Sequence, residues 1–291
     1  MSAYDDESEI EASRAPLLDH LIELRSRLIV CVVAVVAAFF LCFAFARDIY
    51  LFLLEPFEVA ARLLAAQKAI GANHGPFDLV LAMTGRIPVP EAGEDLRLVF
   101  TAPLEFFFTK MKLAGFGAVV LSFPVIAWQL YRFVAPGLYR KERGAFAPFL
   151  LAAPMLFLLG AALVYFIILP MVLWFSLSQQ ITAAGVTVEL LPKVSDYMTL
   201  VTTLLLAFGL CFQLPVVLAL LGLAGLVSSQ TLRSGRRYAI VAVFVVAAVV
   251  TPPDPISQLM LALPIVLLYE ISIWIVRAME GKRGREDAAV A

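Results

Sequence analysis

The sequence is poor in the residues that most enzymatic sites require. Only 15% of its 291 residues are charged, and it contains two histidines and three cysteines. His20 and His74 lie far apart, and neither an HExxH motif nor a glycine-rich phosphate loop occurs. Metal and nucleotide sites depend on such patterns. We therefore expect no catalytic residue, no metal and no cofactor, and an enzyme is disfavoured.

The few cysteines and charges also limit the class of partner. Cys31, Cys42 and Cys211 all fall in apolar stretches, and an odd, apolar set does not form a disulfide framework. The formal net charge is −1, and the bases cluster at the ends of apolar runs instead of forming one patch. No nucleic-acid partner is therefore expected. The acidic start, MSAYDDESEIEASR, predicts no cleavable signal peptide.

What the sequence has in abundance is apolar residues, at 62% of the chain. Soluble domains are about half apolar. A membrane-spanning helix needs about 20 residues, and the sequence therefore predicts an all-α polytopic membrane protein, one integral domain over 1–291 with six transmembrane helices. The fifth and sixth runs are short and should form a shallow hairpin, turned by TPPDP at 251–255. The runs cover 28–46, 108–130, 146–169, 197–227, 238–250 and 257–276.

The basic residues predict the orientation of these helices. Most of the 22 lie before the first run, between the second and third, between the fourth and fifth, or after the sixth. The positive-inside rule makes that side, with both termini, cytoplasmic. Lys110 and Lys112 are exceptions at the outer start of the second helix. Residues 47–107 are expected as an external cap loop with a short helix over 55–70, and 1–15 and 278–291 as disordered tails.

The stretch PLLDHLIELRSRL, at 16–28, has leucines at helical spacing with polar residues between them. It predicts an amphipathic helix on the inner membrane surface that runs into the first span. Glu23 then lies one turn from Arg27, and such a pair contributes only about 0.3–0.5 kcal/mol. Glu23 is therefore either the partner of Arg27 or part of a site for an external cation.

The stretch FVAPGLYRKER, at 133–143, surrounds one acid with bases. Glu142 follows Arg140 and Lys141 and precedes Arg143, while its neighbours three and four positions away are not basic. It therefore lacks a local helical partner. Either the adjacent bases neutralise it in solvent, or it is an available carboxylate for a cationic ligand.

Two amides are expected at membrane depth. Gln213 precedes Pro215 in the fourth run, and Gln258 lies in the sixth. An amide within the membrane needs a protein partner or a water-filled cavity. Each is therefore either a helix–helix hydrogen bond or part of a polar path. Prolines inside the runs predict kinked helices, at Pro124, Pro148, Pro154, Pro170, Pro215 and Pro264.

Four stretches occur in an order that resembles a known family. They are HLIELRSRL at 20–28, FVAPGLYRKER at 133–143, FGLCFQLPV at 208–216 and TPPDPISQ at 251–258. With six spans, they resemble TatC, the multispanning receptor of the twin-arginine protein translocase. The resemblance implies a glove-shaped, concave bundle in the bacterial inner membrane. It also implies binding of signal peptides with consecutive arginines at the cytoplasmic face.

The resemblance assigns roles to particular residues. Glu23 and Glu142 stand at motif positions whose carboxylates recognise the arginine pair, and Arg25, Phe133 and Arg143 occupy neighbouring functional positions. Two guanidiniums match two carboxylates, because each pair can be bidentate.

The resemblance is less complete in the fourth span. Many members of the family carry a glutamate where this chain has Gln213, which removes an ionisable group but leaves an amide that can form hydrogen bonds. Candidates for partner contacts or for lining the concave face are Gln213, Tyr197, Asp254 and Gln258.

The implied function is that of a receptor with protein partners. It would dock twin-arginine signal peptides of folded precursors and nucleate assembly with the single-span subunits TatA and TatB, driven by proton-motive force. Self-association in the receptor complex and contact with the lipid bilayer are also implied. One rival is a small secondary transporter with Gln213 and Gln258 along a polar path. The other is an interaction scaffold that binds peptides with Arg-Arg and Lys-Lys equally.

Overall fold

The structure, a computed structural model, describes residues 3–70, 75–89, 98–134, 143–179, 181–183, 186–188, 192–250 and 255–290. Its helices are α1 (Ala3–Ala44), α2 (Ala46–Ile70), α3 (Pro76–Met83), α4 (Glu105–Val134), α5 (Arg143–Leu163), α6 (Leu169–Ser178), α7 (Val194–Cys211), α8 (Leu214–Leu223), α9 (Ser229–Val250) and α10 (Pro255–Val290). A π-helical segment, Val164–Ile168, joins α5 to α6.

The helical fold predicted from the sequence is confirmed, with one addition. Strands β1 (Ile181–Ala183) and β2 (Val186–Val188) form an antiparallel hairpin in which Ile181 pairs with Val188. The all-α prediction missed it, because three-residue strands are too short to show an alternating pattern. Their Ile, Val and Thr residues do favour strands.

Five stretches in the described part of the chain are long and apolar enough to cross a membrane. They are Leu21–Ala44, Glu105–Leu130, Leu151–Ser178, Val194–Leu223 and Gln258–Gly281. α9 is not among them, and its apolar run at 238–250 is only about 20 Å long at 1.5 Å per residue. The hydrocarbon core is about 30 Å thick. Five of the six predicted spans are therefore supported, and the crossing by α9 stays a prediction.

The connection over 47–107 contains far more helix than predicted. α2 starts at Ala46 instead of residue 55, and α3 follows it; we call these two the cap helices. Pro56 lies inside α2 and has no N–H for the carbonyl of Phe52. The hydroxyl of Tyr165 donates to that carbonyl instead, at 2.8 Å. Packing against the bundle thus allows a helix where the sequence indicated a loop.

The two ends of the chain are also helical where tails were predicted. α1 starts at Ala3 and α10 continues to Val290, so most of 1–15 and 278–291 lies within helices. Both segments contain good helix formers such as Ala and Glu. Each also extends an existing helix, which avoids the cost of nucleation.

Two of the predicted proline kinks coincide with breaks in the helices. Pro170 is the second residue of α6, just after the π-helical segment, and Pro215 lies in the first turn of α8, four residues after α7 ends at Cys211. Proline cannot donate to the carbonyl four residues earlier, and its ring clashes with it. Pro124 and Pro264, in contrast, lie inside α4 and α10.

α4 and α7 begin side by side at the end of the bundle that carries the cap helices, which we call the cap end. Glu105 accepts from the N–H of Thr101 at 2.7 Å and from the hydroxyl of Ser195 at 2.6 Å. A parallel bridge pairs Val99 with Lys193. Helix dipoles favour a carboxylate at these N-termini. Glu105, which the sequence did not single out, therefore fixes the start of α4 to the start of α7.

α5 and α7 approach closely through two glycines. A Cβ added at Gly209 would lie 2.6 Å from the ring of Phe157. One added at Gly160 would lie 2.8 Å from the backbone oxygen of Phe208 and 2.9 Å from the ring of Phe212. Small residues let helices approach in this way within membranes. The contact between α5 and α7 therefore requires the absence of side chains at Gly160 and Gly209.

Replacing Gly160 by Ala tests this contact. We expect Gly160→Ala to lower the free energy of unfolding by about 1–3 kcal/mol, because the blocking atom is backbone and cannot rotate away. Gly115→Ala in α4 is the matched control, since a Cβ there meets nothing within 4 Å. Thermal unfolding in detergent should show a clear loss for Gly160→Ala and none for Gly115→Ala. Equal midpoints for the two variants would contradict the packing argument.

Candidate functional site

Glu23 forms the ion pair that helical spacing predicted. Nη2 of Arg27 donates to Oε1 of Glu23, whose side chain is 37% exposed against 17% for Arg27. Among the described residues, Oε2 of Glu23 has no hydrogen-bond partner, and neither do Nε and Nη1 of Arg27. Arg27 therefore holds the carboxylate through one oxygen and leaves the other accessible to a second donor.

α4 ends at the same end of the bundle as Glu23. The chain leaves the span in α1 and enters the span in α4 at the same end of the bundle, so the two helices run antiparallel. They touch near Gly117, where an added Cβ would lie 2.9 Å from Sγ of Cys42. From that contact, Glu23 is about 28 Å along α1 and Phe133 about 24 Å along α4 at 1.5 Å per residue. Glu23 and Phe133 are therefore level to within about one helical turn.

The other predicted peptide-binding residues are described to different extents. Arg25 is exposed on α1, and Phe133 is half-buried near the end of α4. Arg143 is the first residue of α5, with its side chain outside the described part. Glu142 and Asp254 lie outside the described residues. The structure thus brings Glu23, Arg25 and Phe133 to one end of the bundle, where the stretch containing Glu142 begins.

Gln213 forms a hydrogen bond between helices. It lies in the break between α7 and α8, and its Nε2 donates to the carbonyl oxygen of Ala153 in α5 at 2.9 Å. The amide therefore ties the interrupted helix to its neighbour. Of the two alternatives that the sequence left open, this geometry favours the helix–helix hydrogen bond over a polar path.

Gln213→Leu tests this role. The substitution removes the donor to Ala153, and we expect a loss of about 0.6 kcal/mol in the free energy of unfolding, the average for such bonds in membranes. Gln230→Leu is a suitable control, since Gln230 is exposed on α9. A lower unfolding midpoint in detergent for Gln213→Leu alone would agree with this assignment. A loss of stability as large for Gln230→Leu would refute it.

Gln258 also bonds to a neighbouring helix. Together with three further hydrogen bonds it joins α9 to α10 along their length, so the two arms of the predicted hairpin lie side by side, while its turn at 251–254 falls outside the described residues. Its Nε2 is thus bonded to the neighbouring helix, which favours the helix–helix hydrogen bond over a polar path. The four donor–acceptor pairs are Gln258 to the Phe244 carbonyl, Tyr269 to the Leu232 carbonyl, Arg236 to Glu270 and the Ser229 N–H to Glu280.

Tyr197 is a packing residue, although the sequence made it a candidate for a partner contact or for lining the concave face. Only 4% of it is exposed, and its hydroxyl donates to the carbonyl oxygen of Leu53 in α2 at 2.8 Å. Its ring centroid lies 5.4 Å from that of Phe57. Tyr197 therefore joins α7 to a cap helix, where a partner cannot reach it. The sequence did not reveal this role, because Leu53 is 144 residues away.

An apolar groove of about 610 Å³ lies between α1, α2, α4, α5 and the π-helical segment. Leu121 and Leu158 are exposed along it, so the groove opens toward the side of the bundle. Its lining comes from positions as distant as Cys42 and Leu205, which explains why no sequence pattern indicated it. Other residues of the wall are Phe52, Phe116, Val120 and Pro154.

These features define a multispanning α-helical membrane protein with a carboxylate at one end and an apolar groove along its side. A family model described as Sec-independent protein translocase protein (TatC) matches residues 19–264. TatC of Magnetococcus marinus is 40% identical over 95% of this chain and 89% of that protein. TatC of Escherichia coli K12 is 34% identical over 94% of this chain and 92% of its own length.

Solved structures agree with this comparison. A crystal structure of the twin arginine translocase receptor TatC is 32% identical, with a TM-score of 0.67 over 89% of this chain and 98% of that one. A second, in DDM, is 34% identical, with a TM-score of 0.68 over 88% of this chain and 98% of that one. The chain belongs to the TatC family of protein translocase components.

Proposed function

We propose that this chain is the receptor subunit of a twin-arginine translocase, which binds the signal peptides of folded precursors at the cytoplasmic face of the bacterial inner membrane. Its membership of a family with a solved receptor supports this function. The observation that carries the proposal is the half-exposed carboxylate of Glu23, level with Phe133 and the start of the stretch that contains Glu142.

The proposed orientation places that end of the bundle in the cytoplasm. Arg25 and Arg132 are exposed there, and Lys and Arg resist translocation. Both termini are then cytoplasmic, and α9 crosses as the fifth of six spans in a concave bundle. Because its apolar run is short, α9 crosses where the bilayer thins or where neighbouring helices shield its ends.

Glu23 and Glu142 bind the two guanidinium groups of the peptide in this proposal. Each carboxylate can accept two parallel N–H bonds from a guanidinium, which an ammonium cannot supply in that geometry. At Glu23 the free Oε2 accepts the first of these bonds, and the second requires the peptide guanidinium to displace Arg27 from Oε1. The ring of Phe133 offers a face on which a guanidinium can stack. Arg25 and Arg143 flank the two carboxylates along the chain and complete the site.

The apolar part of the signal peptide then lies in the groove along the side of the bundle. The walls of the groove are apolar and lie at membrane depth, so they match an apolar helix better than a solute. Docking of the peptide nucleates assembly with TatA and TatB, and proton-motive force drives export. Self-association of the receptor belongs to the same proposal, with Asp254 as a candidate contact.

Substitution of the two carboxylates tests recognition. We expect Glu23→Gln and Glu142→Gln each to weaken binding of an Arg-Arg signal peptide by about 10- to 100-fold, the value of a charged hydrogen bond. Glu58→Gln is the matched control, because Glu58 forms the same kind of pair with Arg62 in α2. Binding is measured with the full chain in detergent. Unchanged affinity in both single variants and in the double variant would rule out these sites.

The groove can be tested separately from the carboxylates. Val120 lines the groove, and Val120→Trp should fill part of it and weaken binding of the complete signal peptide several-fold. A peptide that carries the arginines but lacks the apolar segment should bind equally to both proteins. Val33→Trp, on an exposed position of α1 outside the groove, is the control. If Val120→Trp leaves the affinity for the complete peptide unchanged, the apolar segment binds elsewhere.

A further inference from the structure

The start of α4 presents a surface that combines aromatic rings with lysines. We call residues 99–112 the α4 entrance surface. Seven of its apolar side chains are between 39% and 63% exposed, although they belong to a single short segment. These side chains are Val99, Phe100, Leu104, Phe106, Phe107, Phe108 and Met111.

The arrangement of these rings does not fit a surface that faces water alone. Successive residues of a helix are 100° apart, so Phe106, Phe107 and Phe108 together cover most of the helix circumference. Exposed apolar patches of this kind mark contacts with a membrane or a partner. The three rings lie in the first turn of the span Glu105–Leu130, where the helix enters the apolar part of a membrane from its surface.

The surface is held in place and is not a loose loop. Glu105 bonds to Ser195 at 2.6 Å, and Val99 pairs with Lys193, so the segment is fixed to the start of α7. The ring of Phe106 also meets the ring of Tyr50 in α2, edge to face, at 5.7 Å. The rings are therefore presented at a constant level.

Lys110 and Lys112 lie about 3–9 Å further along α4 than the three rings, and lysine side chains lean back toward the helix N-terminus, where they add positive charge beside the rings. Nζ of Lys110 lies 4.9 Å from the centroid of the Phe106 ring, and Lys112 is exposed. Within the described ranges, neither lysine has an ion pair. The carboxylate of Glu105 is occupied by hydrogen bonds to Thr101 and Ser195. The charge of the two lysines is thus available to an external anion.

We propose that the α4 entrance surface binds the headgroups of anionic phospholipids, with its rings in the interfacial region and Lys110 and Lys112 on the phosphates. Lysines near a membrane surface attract anionic lipid, and they would be repelled by a basic partner. The proposal does not depend on peptide recognition. It uses the proposed orientation only to assign the lipids to the outer leaflet.

A photoreactive residue at this surface identifies the lipid. p-Benzoylphenylalanine replaces Phe107, and the full chain is reconstituted in vesicles of equal phosphatidylglycerol and phosphatidylcholine. After illumination, mass spectrometry measures the ratio of the two lipid adducts. We expect phosphatidylglycerol to exceed phosphatidylcholine by about five-fold or more, which corresponds to one lysine near an anionic surface. The same probe at Leu263, an exposed apolar position of α10, should give a ratio near one.

The variant Lys110→Gln with Lys112→Gln then tests the role of the charge. It should bring the ratio at position 107 down to that at position 263, while the total yield of lipid adducts stays the same. An equal ratio at both probe positions in the unaltered chain would overturn the proposal. A ratio at position 107 that is unchanged after loss of both lysines would also overturn it. Adducts to protein in place of lipid would overturn it as well, because the surface would then be a protein interface.

Discussion

The contact that the rest of the bundle depends on is the one made by Phe157. Its ring lies over Gly209 of α7 and stacks on Phe123 of α4, at 4.3 Å between centroids. It is 1% exposed, and it also forms part of the groove wall. One side chain therefore sets the spacing of α4, α5 and α7. α1 packs on α4 at a separate contact, Gly117 with Cys42, and that contact sets the level of Glu23 beside Phe133.

The bilayer imposes the second constraint, because backbone groups within it must find partners in the protein. The interruptions of the helices meet this demand with specific groups. Tyr165 supplies the donor that Pro56 lacks for the carbonyl of Phe52. Gln213, in the break before Pro215, bonds to Ala153. Tyr165 thus gives a donor to a backbone carbonyl that lacks its helical partner, and Gln213 satisfies its own amide by bonding to the neighbouring helix.

Much of the fold and part of the candidate site could be predicted from the sequence, because the residues that indicate them are close together in the chain. Long apolar runs gave the spans, spacing gave the pair of Glu23 with Arg27, and Pro215 indicated the break beside Gln213. The errors came from contacts between distant residues. The cap helices form where Gly and Pro suggested a loop, since they pack against Tyr165 and Tyr197. Tyr197 is a candidate for a partner contact or for the concave face on sequence, yet its hydroxyl bonds to Leu53 in α2. The groove and the role of Glu105 likewise appear only when distant helices meet.

The central claim is that the carboxylates of Glu23 and Glu142 bind the two arginines of a signal peptide. A double-mutant cycle tests it most directly, because it measures the coupling between one carboxylate and one arginine. Each peptide arginine is replaced by Gln, and affinity is measured for the unaltered chain and for Glu23→Gln and Glu142→Gln. The account predicts that each receptor variant is nearly insensitive to loss of one particular arginine. If the losses of binding free energy from the receptor and peptide substitutions add for every combination of the two, the proposed pairing is wrong.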